Sequence, residues 1–310
     1  MLFLGFSSGL PLLLIFATLS LWLREAGVDR AEVTYFSWAA LAYSFKFVWA
    51  PLIDKLPVPL LASRLGQRRG WLLLAQVAVV GAIVLMAQSD PGTAAGLQWM
   101  VVAAVMLGFS SATQDIVIDA YRIEAVEKEL QAMMASTYVA GYRLGMLMAG
   151  AVALYLAAGF GTTKEVYVYE AWKWTYFCMA AAMSVGIVTT LVIAEPVSRQ
   201  TSRYLHGAVD YARFLGLFIL VVMSFVAAFR VLSPLVAGVK AWLVGEGGQH
   251  VALAGFAGES LRLAVGLAVA LGVAWLAVRG GVARREMVRD TYIAPVSDFF
   301  ERYGRAAVLI

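Results

Sequence analysis

Eight stretches of about 20 mainly apolar residues recur along the chain, near 2–23, 33–53, 71–88, 98–121, 136–158, 173–194, 213–233 and 260–278. At a rise of about 1.5 Å per residue, a helix of that length matches the hydrocarbon thickness of a bilayer. Backbone inside lipid must also satisfy its own hydrogen bonds, so each stretch is expected to be a membrane-crossing helix and the chain an all-α polytopic membrane protein. With 62% hydrophobic and 14% charged residues, a soluble domain of this length is excluded. The first stretch is too long for the apolar part of a signal peptide and lacks a small-residue cleavage site, so it is expected to remain as a helix. The only cysteine, Cys178, lies in an apolar run, and His206 and His250 fall in predicted loops. These positions predict no internal disulfide, no metal site, no cofactor and no enzyme active site at membrane depth.

The net charge of +4 is explained by where the basic residues fall. Lys55, Arg64, Arg68 and Arg69 follow the second stretch, Arg122 and Lys128 the fourth, Arg199, Arg203 and Arg213 the sixth, and Arg279, Arg284, Arg285 and Arg289 the eighth. The alternate loops carry fewer: Arg24, Arg30, Lys164, Lys173 and Lys240. Positive residues are retained on the cytoplasmic side, which predicts a cytoplasmic amino terminus. Topology therefore accounts for the basic balance, and nucleic acid is not an expected partner. Trp22, Trp71, Trp99 and Trp172 read as anchors at the membrane interface.

Three charges break the apolar runs. Lys46, Asp115 and Arg143 lie inside stretches two, four and five, where a charge costs roughly 2.5 to 3.5 kcal/mol at a helix centre. Counted from the predicted cytoplasmic ends, each lies about 10 Å inward, so the three are expected to form one layer. Gly9-Leu10-Pro11 reaches a comparable depth in the first stretch, where proline frees a carbonyl. Stretches three and six hold no ionisable side chain in their interiors. Helices one, two, four and five are thus expected to line a cavity, with three and six outside.

That division of labour is the one in a six-helix half of a major facilitator superfamily transporter, and the local strings are more specific. Gly5-Phe6-Ser7-Ser8-Gly9-Leu10-Pro11, Phe45-Lys46-Phe47-Val48-Trp49-Ala50-Pro51-Leu52-Ile53-Asp54-Lys55 and Arg68-Arg69-Gly70-Trp71-Leu72 are joined by two more. These are Ser111-Ala112-Thr113-Gln114-Asp115-Ile116-Val117-Ile118-Asp119-Ala120 and Gly141-Tyr142-Arg143-Leu144-Gly145-Met146-Leu147. In order and together, they resemble the AmpG muropeptide permeases. The resemblance implies a proton symporter of the cytoplasmic (inner) membrane that imports anhydro-muropeptides, which are anionic sugar-peptide fragments, for peptidoglycan recycling. Its partners would be the lipid bilayer, protons and that substrate. Other readings are a facilitator for another anionic solute such as an acyl-CoA, and a membrane scaffold or sensor. Two departures stand out: an insertion over 56–67 between helices two and three, and two extra stretches after helix six. The expected division is 1–195 as the amino-terminal half, 196–285 as a linker with two extra helices, and 286–310 as the start of a second, truncated half. A single half is expected to be inactive without that carboxy-terminal partner.

Roles for single residues follow. Asp115 is the candidate proton carrier, since burial and a nearby cation shift a carboxyl in opposite directions; the competing reading is a static ion pair with Lys46 or Arg143. Asp119, one helical turn on, is either a second proton-coupling group or a mouth-level partner of Arg122. Lys46 and Arg143 are candidates to hold substrate carboxylates. Gln114 and Ser111 are candidates to bond substrate hydroxyls, and Trp38, Tyr43, Trp49 and Tyr142 to stack on sugar rings, with Tyr43 and Tyr142 nearest the charged layer. Asp54, Lys55, Arg68 and Arg69 are expected to form a cytoplasmic gate, Asp54 and Lys55 by pairing with a second half. Gly141 and Gly145 are expected to allow close helix packing.

Overall fold

The computed structural model describes the chain except residues 30–32, 34–35, 37–42, 164–165, 197–207, 245–250 and 304–310. Arg30, Trp38, Lys164, Arg199, Arg203, His206, His250, residues 34–35 and 37–42 of the stretch 33–53, and the last seven residues therefore lie outside the described residues. Among the described residues, seven helices are long and apolar enough to cross a membrane. They correspond to seven of the eight stretches, and every described element is helical. The chain divides into two compact units, Met1–Thr201 and Ser202–Ile310.

In the first unit, helix α1 (Leu2–Glu25) is followed by a short α2 (Ala50–Lys55), α3 (Leu61–Leu65), α4 (Gln67–Ala87), α5 (Ala94–Glu124), α6 (Lys128–Gly159) and α7 (Tyr169–Val192). Pro11 lies inside α1, and a π turn at Leu14–Thr18 follows it. The widened turn leaves the Leu14 carbonyl accepting from Tyr176 Oη of α7 at 3.2 Å. Thr93 caps α5 through its side-chain oxygen, which accepts from Gly96 N.

Stretch two does not run as one α-helix over its described part. Lys46–Val48 form a 3-10 turn, and α2 restarts at Ala50 with Pro51 in its first turn. Proline has no N–H to bond back into a preceding turn and fits the start of a helix, so the break falls where Pro51 requires it. The insertion at 56–67 is ordered. Trp71 Nε1 donates to Leu56 O at 2.6 Å, and Gln67 Nε2 to Asp54 O at 2.6 Å. Gly66 turns the chain into α4 at φ 94°, a conformation suited to glycine, with Glu195 occupying the space a side chain would need.

The core joins α1, α4, α5, α6 and α7. Trp22 and Trp172, expected at the membrane interface, lie instead fully inside it, stacked with ring centroids 5.6 Å apart and planes at 6°. Their indole N–H groups find partners within the protein, which removes the reason for them to face headgroups: Trp172 Nε1 donates to Glu25 Oε2 at 2.8 Å and Trp22 Nε1 to Tyr167 Oη at 3.3 Å. Trp99 is 58% exposed, as an interfacial anchor would be.

The tightest contact is between α1 and α6. A methyl group at Gly5 or Gly9 would overlap the backbone carbonyl of Tyr138 or Tyr142, and one at Gly141 or Gly145 that of Leu2 or Phe6. The four glycines bring the two backbones together as small-residue seams do in membrane helices.

The second unit is a helix pair, α8 (Ala208–Val244) and α9 (Val251–Arg279), followed by α10 (Arg285–Val288), a π turn and α11 (Ala294–Tyr303). Arg262 of α9 donates to Phe229 O of α8 at 2.6 Å and covers the Phe229 ring at 3.7 Å. Arg284 pairs with Asp210 at 3.1 Å, and Phe214 meets Tyr292.

Candidate functional site

Asp115 projects from the middle of α5 and is 7% exposed. Its Oδ1 accepts a hydrogen bond from Ser8 Oγ of α1. Ser8, itself fully buried, is also hydrogen-bonded to Tyr138 Oη of α6 at 2.9 Å. The glycine seam sets this geometry, because it holds α1 and α6 close enough for one hydroxyl to touch both neighbours. Three helices therefore meet at the carboxylate through Ser8.

Segment 43–49 is tied to α5 at three points. Tyr43 Oη donates to Ser111 Oγ at 2.6 Å, Trp49 Nε1 to Thr113 Oγ1 at 3.2 Å, and Lys46 Nζ lies 3.8 Å from Asp119 Oδ2. Asp119 also meets Arg122 at 3.3 Å, and Arg122 lies over the Tyr138 ring at 5.7 Å. The charges expected in one layer are thus arranged in steps: Asp115 buried on the Ser8 hydroxyl, then Asp119 one turn further along α5 with Lys46 beside it, and Arg122 about two turns on. Lys46 and Asp119 are both partly exposed, so their attraction is screened.

Arg143 is exposed on α6, and among the described residues Asp115 forms an ion pair with neither Arg143 nor Lys46. Tyr142 is partly buried, with its ring 5.9 Å from that of Tyr138. Ser111 and Gln114 are fully buried on α5, and among the described residues neither amide atom of Gln114 has a hydrogen-bond partner.

The four residues expected at a gate are placed differently from one another. Arg68 is the hub: it meets Asp54 Oδ1 at 2.6 Å and forms a two-pronged pair with Glu124, at 2.5 and 3.0 Å. Arg69 donates to the carbonyls of Thr190 and Leu191 at the end of α7, at 2.9 and 2.7 Å. Just beyond α7, Glu195 accepts from the backbone N–H groups of Arg68 and Arg69 at the start of α4, where unpaired N–H groups and the helix dipole favour an anion. Lys55 is exposed. The pair of Asp54 is therefore internal to the first unit.

Four residues of these networks were not singled out from the sequence: Ser8, Tyr138, Glu124 and Glu195. Ser8 sits in the string Gly5 to Pro11, and Tyr138 lies one turn before Tyr142 on the seam face of α6, so a helical-face reading would have paired them. Glu124 lies past the apolar stretch 98–121, and α5 extends to it.

The model of the Major Facilitator Superfamily matches residues 1–285. The anhydromuropeptide permease of Escherichia coli (strain K12) is 40% identical over 196 residues, 63% of this chain and 37% of the relative. The putative transporter AmpG 4 of Rickettsia felis is 40% identical over 192 residues, covering 62% of this chain and 44% of that protein. The putative transporter AmpG 3 of Rickettsia typhi is 32% identical over 225 residues, 72% and 51% respectively. The chain thus matches about a third to a half of the length of these curated relatives, and the expected likeness to AmpG permeases is present.

Proposed function

Since the chain belongs to the major facilitator superfamily, we propose that it supplies one wall of a secondary active transporter that imports anhydro-muropeptides from periplasm to cytoplasm by proton symport. It is a multi-pass membrane protein; residence in the inner membrane with a cytoplasmic amino terminus is part of the proposal, and so is service to peptidoglycan recycling. The substrate class rests on likeness to a relative named as an anhydromuropeptide permease. Transport in this superfamily turns on moving helical halves about a central site, so the opposite wall is expected from chain corresponding to the unmatched part of the relatives.

The observation that carries proton coupling is the buried Asp115 carboxyl, held by a hydroxyl and without an ion pair among the described residues. A carboxyl within a membrane helix is costly unless it is used, and one without a fixed cationic partner is free to change its protonation state. Lys46, Asp119 and Arg122, one to two turns away, form a positive rim of net charge about +1 when all are ionised, suited to the carboxylates of an anionic substrate. Arg143, Tyr43, Tyr142, Ser111 and Gln114 are proposed as further substrate contacts, and Asp54, Lys55, Arg68 and Arg69 as the cytoplasmic gate.

The test is coupled flux. Adding anhydro-muropeptide to vesicles carrying the intact protein is expected to draw protons inward with the solute. An acyl-CoA that moves protons while anhydro-muropeptide does not would establish the other anionic substrate, and solute entry without proton movement would overturn symport.

A further inference from the structure

Ser8 stands between a carboxylate and a phenol, and it can be both donor and acceptor. Buried at 0% exposure, it has water available from neither side. We propose that Ser8 and Tyr138 are positioning residues that keep Asp115 hydrogen-bonded in both of its protonation states, by reversing the direction of a two-hydroxyl chain. The proposal rests on Asp115 being the proton-binding group.

With Asp115 ionised, Tyr138 O–H donates to Ser8 Oγ, and Ser8 O–H donates to the carboxylate. When a proton arrives from water, the carboxyl is neutral and its own O–H donates to Ser8 Oγ. Ser8 then turns its proton to Tyr138 Oη, and half-buried Tyr138 turns its O–H outward. The only covalent change is the new O–H bond of Asp115; both hydroxyls keep their protons and merely rotate. Neither state leaves Ser8 or the Asp115 oxygen facing it unpaired, which removes a penalty that would otherwise favour one state.

The other titratable groups nearest this chain are Tyr43 and Lys46 from the segment before α2, Asp119 and Arg122 on α5, and Tyr142 on α6, with Arg143 exposed next to Tyr142. From α1, Ser8 reaches the carboxyl, while Ser7 bonds the Leu4 carbonyl and faces Gly186 of α7.

The two hydroxyls serve opposite states, and this gives an opposed test. Tyr138→Phe removes the acceptor that Ser8 needs when Asp115 is protonated, so protonation should require a more acidic medium. Ser8→Ala removes the donor to the ionised form, and a bond to a charge outweighs one between neutral groups, so protonation should occur at more alkaline pH. Each displacement is expected to be about one pH unit.

The readout is infrared titration of the protonated Asp115 carbonyl in the purified intact protein, with Asp115→Asn assigning the band. Opposite displacements in the two variants support the proposal. No displacement, or displacement in the same direction, overturns it and leaves Asp115 itself untouched. A titrating band that persists in Asp115→Asn overturns the underlying reading instead. If Ser8→Ala does not fold by thermal unfolding, Ser8→Cys, a weaker donor, should show the same alkaline displacement at smaller size.

Discussion

At the scale of single residues, the structure separates two kinds of charge that look alike in the sequence. Asp115 is enclosed, while Lys46 and Asp119 are partly open and 3.8 Å apart. An ion pair of that kind contributes little to stability, so Lys46→Ala is expected to change the unfolding free energy by less than about 1 kcal/mol. If Lys46 binds substrate carboxylate, the same variant should raise the KM for uptake at least tenfold, about 1.4 kcal/mol of lost binding. Thermal unfolding measured beside uptake kinetics separates the two, and an unchanged KM would remove Lys46 from the site. The value of Asp115 was legible because a carboxyl well inside an apolar run is expensive. Its partner was not, because a serine in an apolar helix has no distinguishing pattern until the helices that flank it are known.

At the scale of elements, glycines and one arginine hold the first unit together. Gly145→Val would press a branched side chain into the Phe6 carbonyl across the seam, and overpacking of that kind costs about 1–3 kcal/mol or more. Gly216 of α8 has open space around it, so Gly216→Ala should gain about 0.5–1 kcal/mol from helix propensity. Thermal denaturation in detergent should move in opposite directions for the two, and similar shifts would contradict the seam. Arg68 ties α2, α4 and α5 with 13% of its side chain exposed, so Arg68→Ala, which leaves the partly buried Glu124 and the more exposed Asp54 without their partner, is expected to destabilise the unit by about 1–3 kcal/mol in the same thermal denaturation. Seven of the eight stretches read from hydropathy are membrane-length helices among the described residues, in the expected order, whereas the short α3, α10 and α11 carry no apolar run that would announce them. The break before Ala50 was not, although Pro51 was its visible cause, because a continuous apolar run hides where a backbone hydrogen bond is lost. The burial of Trp22 and Trp172 was hidden for a related reason. Indole reads as an interface anchor unless Glu25 and Tyr167, distant in sequence, are known to receive its N–H.

At the scale of the whole molecule, the ion pairs and seams described in the first unit begin and end within Met1–Thr201. A chain ending after Thr201 is therefore expected to insert in the membrane and show the same unfolding transition as the first unit of the longer chain; loss of that transition would contradict the division. The relatives are matched over 37 to 51% of their length, and the transport cycle proposed for this chain needs a second wall of helices facing the site described. Within that assembly the central claim is that Asp115 couples solute movement to protons. Uptake of labelled anhydro-muropeptide should be compared in vesicles carrying intact parent protein or Asp115→Asn at equal membrane levels, under an imposed pH gradient. The account predicts that the variant loses gradient-driven accumulation while still exchanging labelled for unlabelled solute; accumulation equal to the parent's would contradict it.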